Sequence, residues 1–405
     1  MSNSSVGIFQ RWTSISLVLR IFIGLVIGTL LGLCCPQFTW ISLFGTLFVG
    51  ALKALAPVLV AVLVASSIAQ ANQGLGPRFR LVIFLYLAST LIAAIVAVTG
   101  SVLFPISLNL GDMAQENGSV SLAEIFDNIL NNIVENPVGA VAHANYLGIL
   151  FWAVLSGLAL KFIATKQTIS VVNDLAEVIS LLVKWVIQFA PFGVLGLVFH
   201  SIATSGLNIF VDYGKLILLL VVCMIVVSAV INPLIVGLML RKNPYPLYLQ
   251  CLKGSAIHAF FTRSSAANIP VNLELCKQLN LDAKFYSVSI PLGATINMNG
   301  AAITINVMTL AVCHTLGMEV SFASALLLSI VATLGACGSS GVAGGSLLLI
   351  PLACSLFGIS NDIAMQAVSI GFIIGVIQDS METALNSSCD VLFTAAADYY
   401  KRLKD

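Results

Sequence analysis

Gln378-Asp379-Ser380-Met381-Glu382-Thr383-Ala384-Leu385-Asn386-Ser387-Ser388-Cys389-Asp390 decides what kind of protein this is. It lies inside a largely apolar run, 362–397, that is long enough to cross a bilayer. Asp379, Glu382, Thr383, Asn386 and Asp390 follow one another at spacings of 3, 1, 3 and 4, which places them on one stripe of a helix. Three acids and an amide on a stripe inside a span cost several kcal/mol unless they are paired or solvated. Their natural partners are a cation, an ammonium group or Arg263. One arginine offsets one acid, so a polar seam between helices does not account for the whole stripe.

The rest of the chain supplies the membrane. Among 405 residues there are 18 Lys and Arg and 17 Asp and Glu, or 9% charged side chains, against about 25% in soluble domains. Apolar residues reach 59% and the mean hydropathy is +1.03. This excludes a soluble enzyme, a nucleic-acid-binding module and a disordered chain. A net charge of +1 provides no field for a polyanion. Nine cysteines without a CxxC pair and four isolated histidines offer neither a disulfide framework nor a zinc site. Asn117-Gly118-Ser119 matches a glycosylation acceptor, a triplet common by chance.

Hydropathy predicts spans near 15–35, 41–69, 81–108, 145–165, 175–204, 213–240, 284–317 and 362–397. Two further apolar stretches, 248–282 and 320–358, are interrupted by Thr262-Arg263-Ser264-Ser265 with Asn268 and Pro270, and by a Gly- and Ser-rich run from Gly335 to Gly345. Each reads as two half-length helices with a small polar tip. Basic residues cluster in alternate loops (Arg78 and Arg80, Lys161 and Lys166, Arg241 and Lys242, Lys401 and Arg402), whereas 109–144 carries acids and no Lys or Arg. The positive-inside rule then predicts both termini in the cytoplasm, with an even number of crossings.

Polar interruptions concentrate in the last 160 residues or so: the two tips, the break Asn297-Met298-Asn299-Gly300 and the acidic stripe. Non-helical backbone at membrane depth is tolerated inside protein or beside a water-filled cavity. Unwound carbonyls suit hard cations, and half-helix N-termini suit a substrate carboxylate. Two hairpins, each followed by a long span, suggest inverted repeats around a midplane site.

With these motifs in place, the chain resembles the dicarboxylate/amino acid:cation symporters over nearly its whole length. The resemblance is carried by Thr262-Arg263-Ser264-Ser265 through Pro270, by Pro291-Leu292-Gly293-Ala294-Thr295-Ile296-Asn297-Met298-Asn299-Gly300, by Gly341-Val342-Ala343-Gly344 and by the last-span stripe. It is closest to the bacterial branch that takes up serine and threonine with sodium. It implies an all-α polytopic membrane protein with eight transmembrane helices, two re-entrant hairpins and inverted repeats. It also implies a homotrimer working as an elevator in the bacterial cytoplasmic (inner) membrane. Residues 1–247 would be mainly scaffold, with the third span contributing to the transport unit. Residues 248–405 would be that unit: hairpin 248–282, broken span 284–317, hairpin 320–358 and last span 362–397.

By the same resemblance, Asp379 would hold the substrate amino group, and Thr383 and Asn386 would contact the substrate. Ser264, Ser265 and Val342 would bind its carboxylate at the two tips. Gly293, Asn297, Asn386 and Asp390 would form one sodium site. Thr295 and Met298, with Ala336, Cys337 and Ser339, would form another. No organic cofactor or nucleic-acid partner is expected. Two departures bear on specificity. Glu382 stands where acidic-substrate members carry Arg, so acidic substrates should be repelled and small neutral amino acids preferred. Arg263 is expected to reach and neutralise Glu382. Asn299 stands where those members carry an Asp of a third sodium site, whose other ligands align with Tyr86, Ser89 and Thr90. Fewer than three sodium ions per cycle are therefore expected.

Other classes fit less well. A channel would arrange carbonyls or charges in rings, whereas these polar groups sit on broken helices in one half of the chain. An intramembrane enzyme with a paired-acid dyad is disfavoured because Asp379 and Asp390 are eleven residues apart, about three helical turns. Proton-coupled uptake of another neutral amino acid or a small carboxylate stays open.

Overall fold

The computed structural model describes residues 15–70, 76–110, 118–120, 122–337, 339 and 343–403. Among them, seven helices are long and apolar enough to cross a membrane: Leu17–Cys34, Thr39–Gln70, Pro77–Leu103, Tyr146–Ile163, Ile209–Leu240, Ala283–Thr315 and Asn361–Arg402. An eighth crossing is available if Lys166–Gln188 and Ala190–Ser205, bent by 54°, count as one. The sequence predicts a single straight span at 175–204. The helix instead turns at Phe189, and Pro191, which lacks an N–H donor, sits in the first turn of the helix that follows.

The first span lies on Ala190–Ser205 at close range. A Cβ at Gly24 would stand 2.1 Å from the Pro191 carbonyl oxygen, and one at Gly28 would stand 2.5 Å from that of Leu195. Glycine permits this backbone-to-backbone approach, the usual means of packing helices where lipid offers no hydrophobic drive. Arg20 is buried within this helix and donates from Nη2 to Gln188 Oε1 at 2.9 Å.

The last two spans form the centre. In the apolar window of Ala283–Thr315, 94% of residues are buried, and in Asn361–Arg402 72%, against 28% for the first span. The third span, both hairpins and the span Ile209–Leu240 pack around them. The first hairpin runs through Tyr245–Cys251, a π-turn at Leu252–Ala256 and Ile257–Thr262, then returns along Ser265–Gln278. The second descends along the 15-residue helix Phe322–Ala336 and returns along Gly345–Ser355. At about 1.5 Å per residue, neither of its arms spans a core about 30 Å thick. The second predicted hairpin is thus built of half-length helices. In the first, only the return arm Ser265–Gln278 is short, whereas the outgoing arm stays helical from Tyr245 to Thr262 through its π-turn, as long as the first span.

The predicted all-α fold needs one small amendment. Gly118–Val120 (β1) and Met318–Val320 (β2) pair as parallel strands, Gly118 opposite Met318. The acidic stretch 109–144 is also not simply a loop, since it carries the helices Leu122–Ile133 and Pro137–Ala142.

Candidate functional site

The site is organised by the break in the penultimate span. The helix Ala283–Ile296 ends at Asn297, whose φ of −94° and ψ of 79° leave the helical region, and a new helix starts at Asn299. Two of the last helix's polar residues face this opening. Asn297 Nδ2 donates to Asp390 Oδ1 at 2.9 Å and to the Asn386 carbonyl at 3.3 Å. Asn386 Oδ1 accepts from Gly300 N at 2.7 Å, and Asn386 Nδ2 reaches Met298 Sδ at 3.5 Å. Gly293 lies close against the acid, since a Cβ there would stand 2.7 Å from Asp390 Oδ1. Asp390 Oδ2 and Asn297 Oδ1 are buried without a hydrogen-bond partner among the described residues. Two orphaned oxygens, one of them on a carboxylate, are costly unless a cation is added. Their hardness suits sodium (the same oxygen preference governs calcium).

Tyr86, from the third span, braces this cluster from behind. Its hydroxyl lies 3.2 Å from the carbonyls of both Ser289 and Asp390 and 2.9 Å from Thr394 Oγ1. Ser89 and Thr90 donate to Asn299 Oδ1 at 3.1 and 3.0 Å, whereas the Tyr86 hydroxyl turns to the Asp390 carbonyl.

The acids nearer the tips have different partners. Arg263 Nε donates to Asp379 Oδ2 at 2.7 Å, and Gly344 N donates to Asp379 Oδ1 at 3.1 Å. The expectation that Arg263 reaches Glu382 is therefore not met. Arg263 turns the first hairpin in a left-handed conformation (φ 52°), and its side chain meets the nearer acid of the stripe. Glu382 lies a turn further on and has no positive partner among the described residues. Its Oε2 accepts from Thr304 Oγ1 at 2.8 Å, Ser346 Oγ at 2.8 Å and Gln378 Nε2 at 2.6 Å. Asp379 thus touches both hairpin tips at once, and Glu382 joins the second hairpin to the last two spans.

Residues 17–400 match the sodium:dicarboxylate symporter family. The chain belongs to that family. It is 56% identical over 405 residues to a serine/threonine transporter of Bifidobacterium adolescentis, covering 100% of this chain and 94% of that one. It is 55% identical over 391 residues to a serine/threonine transporter of Streptococcus thermophilus, covering 96% and 97%. It is a multi-pass membrane transporter of the symporter type, not an enzyme.

Within this member of the family, the other predicted positions fall as follows. Ser264 caps the second arm of the first hairpin, its Oγ accepting from Ala267 N at 3.2 Å, and Ser265 is buried behind it. Thr383 Oγ1 bonds to the Asp379 carbonyl at 2.8 Å. Thr295 Oγ1 bonds to the Leu292 carbonyl at 2.7 Å, just before the break. Cys337 Sγ points to the Ile296 carbonyl at 3.7 Å, which brings the end of the second hairpin's first arm, with buried Ala336, against the break. Ser339 is buried, and its carbonyl packs against Gly345. Val342 lies outside the described residues. Sequence reasoning missed Thr304, Ser346 and Gln378, and it named Gly344 only as part of the second-tip motif. Gln378 sits four residues before Glu382 and Thr304 four after Gly300, so helical spacing could have found those two. Ser346 and Gly344 arrive only through tertiary packing.

Proposed function

We propose that this chain takes up serine and threonine together with sodium across the bacterial cytoplasmic membrane, with both termini in the cytoplasm. The observation that carries this reading is the contrast between the two pocket acids. Asp379 has an exchangeable cationic partner, and Glu382 has none. An α-ammonium group can take the place of the Arg263 guanidinium on Asp379, while Glu382 repels a second carboxylate. A neutral side chain is admitted and an acidic one refused. The substrate carboxylate would lie at the tips, near Ser264, Ser265 and the Val342 backbone. Arg263 Nη1, buried and without a hydrogen bond among the described residues, supports this placement. Thr383 and Asn386 line the same stripe. Sodium would be held at Asp390, Asn297, Asn386 and Gly293, where two oxygens are orphaned. A second ion would sit among Thr295, Met298, Ala336, Cys337 and Ser339. Asn299, a neutral amide already accepting two hydroxyl bonds, supports a count below three.

In this reading, residues 248–405 with the third span move as one unit against a trimeric scaffold formed by the rest of 1–247. The names of the relatives support the substrate class, and the family supports the coupling ion.

Reconstituted in liposomes, the protein should accumulate labelled serine only under an inward sodium gradient at fixed pH. Threonine should compete and aspartate should not. Sodium-independent uptake driven by a pH step would favour proton coupling, a second reading motivated by the buried, cation-free Glu382. Competition by aspartate would sink the role given to that residue.

A further inference from the structure

A second built cavity lies away from the transport site, where three helix ends meet on the side that the positive-inside rule assigns to the cytoplasm. It has a volume of about 260 Å³ and is lined by Arg78, Phe79, Asp282, Lys284, Phe285 and Lys401 among others. Two of the contributing helices start here, at Pro77 and Ala283, and the last helix ends here. The start at Ala283 is capped by Asp282, whose side chain accepts from Lys284 N, whereas the start at Pro77 has no side-chain cap.

The local charges do not cancel. Arg78 Nη1 pairs with Asp282 at 2.9 Å and with Asp398 at 2.7 Å, and Arg402 pairs with Asp398 at 2.6 Å. Those two arginines and two aspartates balance one another. Lys284 and Lys401 remain, both exposed and without an ion pair among the described residues. Of the three helix ends, the uncapped N-terminus at Pro77 adds partial positive charge, which the C-terminus of the last helix partly offsets, so the two lysines carry the local excess. The wall beneath them is aromatic. Phe79 and Phe285 meet edge to face at 4.9 Å, and the Arg78 guanidinium lies 5.0 Å from the Phe285 ring centre. An anion here would meet two exposed ammonium groups, and an apolar appendage would meet two rings.

We propose that this cavity binds a phosphate-bearing anion, which in the membrane is the headgroup of an anionic phospholipid of the adjacent leaflet. Its basic lining between span ends is of the kind that holds acidic lipid headgroups. A bound phosphate would bridge Lys284 and Lys401, and so clamp the start of the penultimate span to the end of the last one.

The test is the thermal unfolding midpoint of the detergent-solubilised protein, measured at constant ionic strength with added phosphatidylglycerol, phosphatidylcholine or inorganic phosphate. The K284Q/K401Q variant is measured beside it. Both lysines are exposed, so the variant should fold. Phosphatidylglycerol should raise the wild-type midpoint by a few degrees over phosphatidylcholine, and the variant should lose that difference. An equal rise with inorganic phosphate, also lost in the variant, would keep the site and assign it to a free anion. Identical midpoints in all three additions, or a rise that survives in the variant, would overturn the proposal.

Discussion

At the scale of single residues, the candidate site holds three buried acids that the chain treats differently. Asp379 is paired with Arg263, Glu382 is held by three neutral donors, and Asp390 keeps an oxygen with no partner among the described residues. Glu382→Gln keeps the shape and removes the negative charge. In competition assays, aspartate should then begin to displace labelled serine, while the apparent affinity for serine changes little. If selectivity and rate both stay as in the wild type, Glu382 has no part in choosing the substrate. Asp390→Asn should raise the sodium concentration for half-maximal serine uptake by about tenfold or more, because the one charge facing the ion is lost in a low dielectric. A sodium titration of uptake reads this directly. An unchanged sodium curve would move the ion elsewhere.

At the scale of elements, hydrogen bonds fix pieces that hydropathy alone leaves loose. Asn268 and Asn272 on the second arm of the first hairpin donate to Ser387 Oγ at 2.8 and 3.0 Å and share bonds with Ser255, so the hairpin is stitched to the last helix. On the acidic side of the chain, Glu135 ties the short helices to the span Tyr146–Ile163. His143 Nδ1 lies 2.8 Å from one of its carboxylate oxygens, Asn145 Nδ2 donates to the other at 2.7 Å, and Trp152 Nε1 donates to its carbonyl at 2.7 Å. The bond with His143, aided by that from Asn145, holds the Glu135 carboxyl below its usual 4.5. A carboxyl depressed in the folded state stabilises above its unfolded value and loses that contribution as pH falls through the folded one. Amide exchange across 135–146 should therefore be slow near neutrality and accelerate below about pH 4.5. In Glu135→Gln that acid-dependent acceleration should disappear.

At the scale of the whole molecule, the centre touches the surrounding spans at separate points. Lys53, deep in the second span, forms an ion pair with Asp362 at the start of the last helix. Ser67, near the other end of that span, donates to the Cys337 carbonyl at 3.2 Å. A cavity of about 1060 Å³ lies beside the ion pair, with Thr46, His200, Tyr213 and Gln366 among its walls. If residues 248–405 move as a unit against this span, fixing one contact must stop the cycle. Ser67→Cys should be bridged to the native Cys337 by mercury and lose serine uptake, which a reducing thiol restores. Uptake that persists with the bridge formed would rule out sliding along this face.

The sequence by itself determined the solvent, the positions of the breaks and the helix face that carries the chemistry. Those properties are local: composition sets the hydropathy, Asn297-Met298-Asn299-Gly300 interrupts the helix where it stands, and a period of 3.6 places Asp379, Glu382, Asn386 and Asp390 together. Only the tertiary structure decided who pairs with whom. Arg263 could have met either acid, and the choice of Asp379 follows from how a hairpin tip 116 residues away docks on the last helix. Ser346 on Glu382, Tyr86 on Asp390 and Lys53 on Asp362 have the same origin. Each depends on distances across the packed core, which no spacing along the chain encodes.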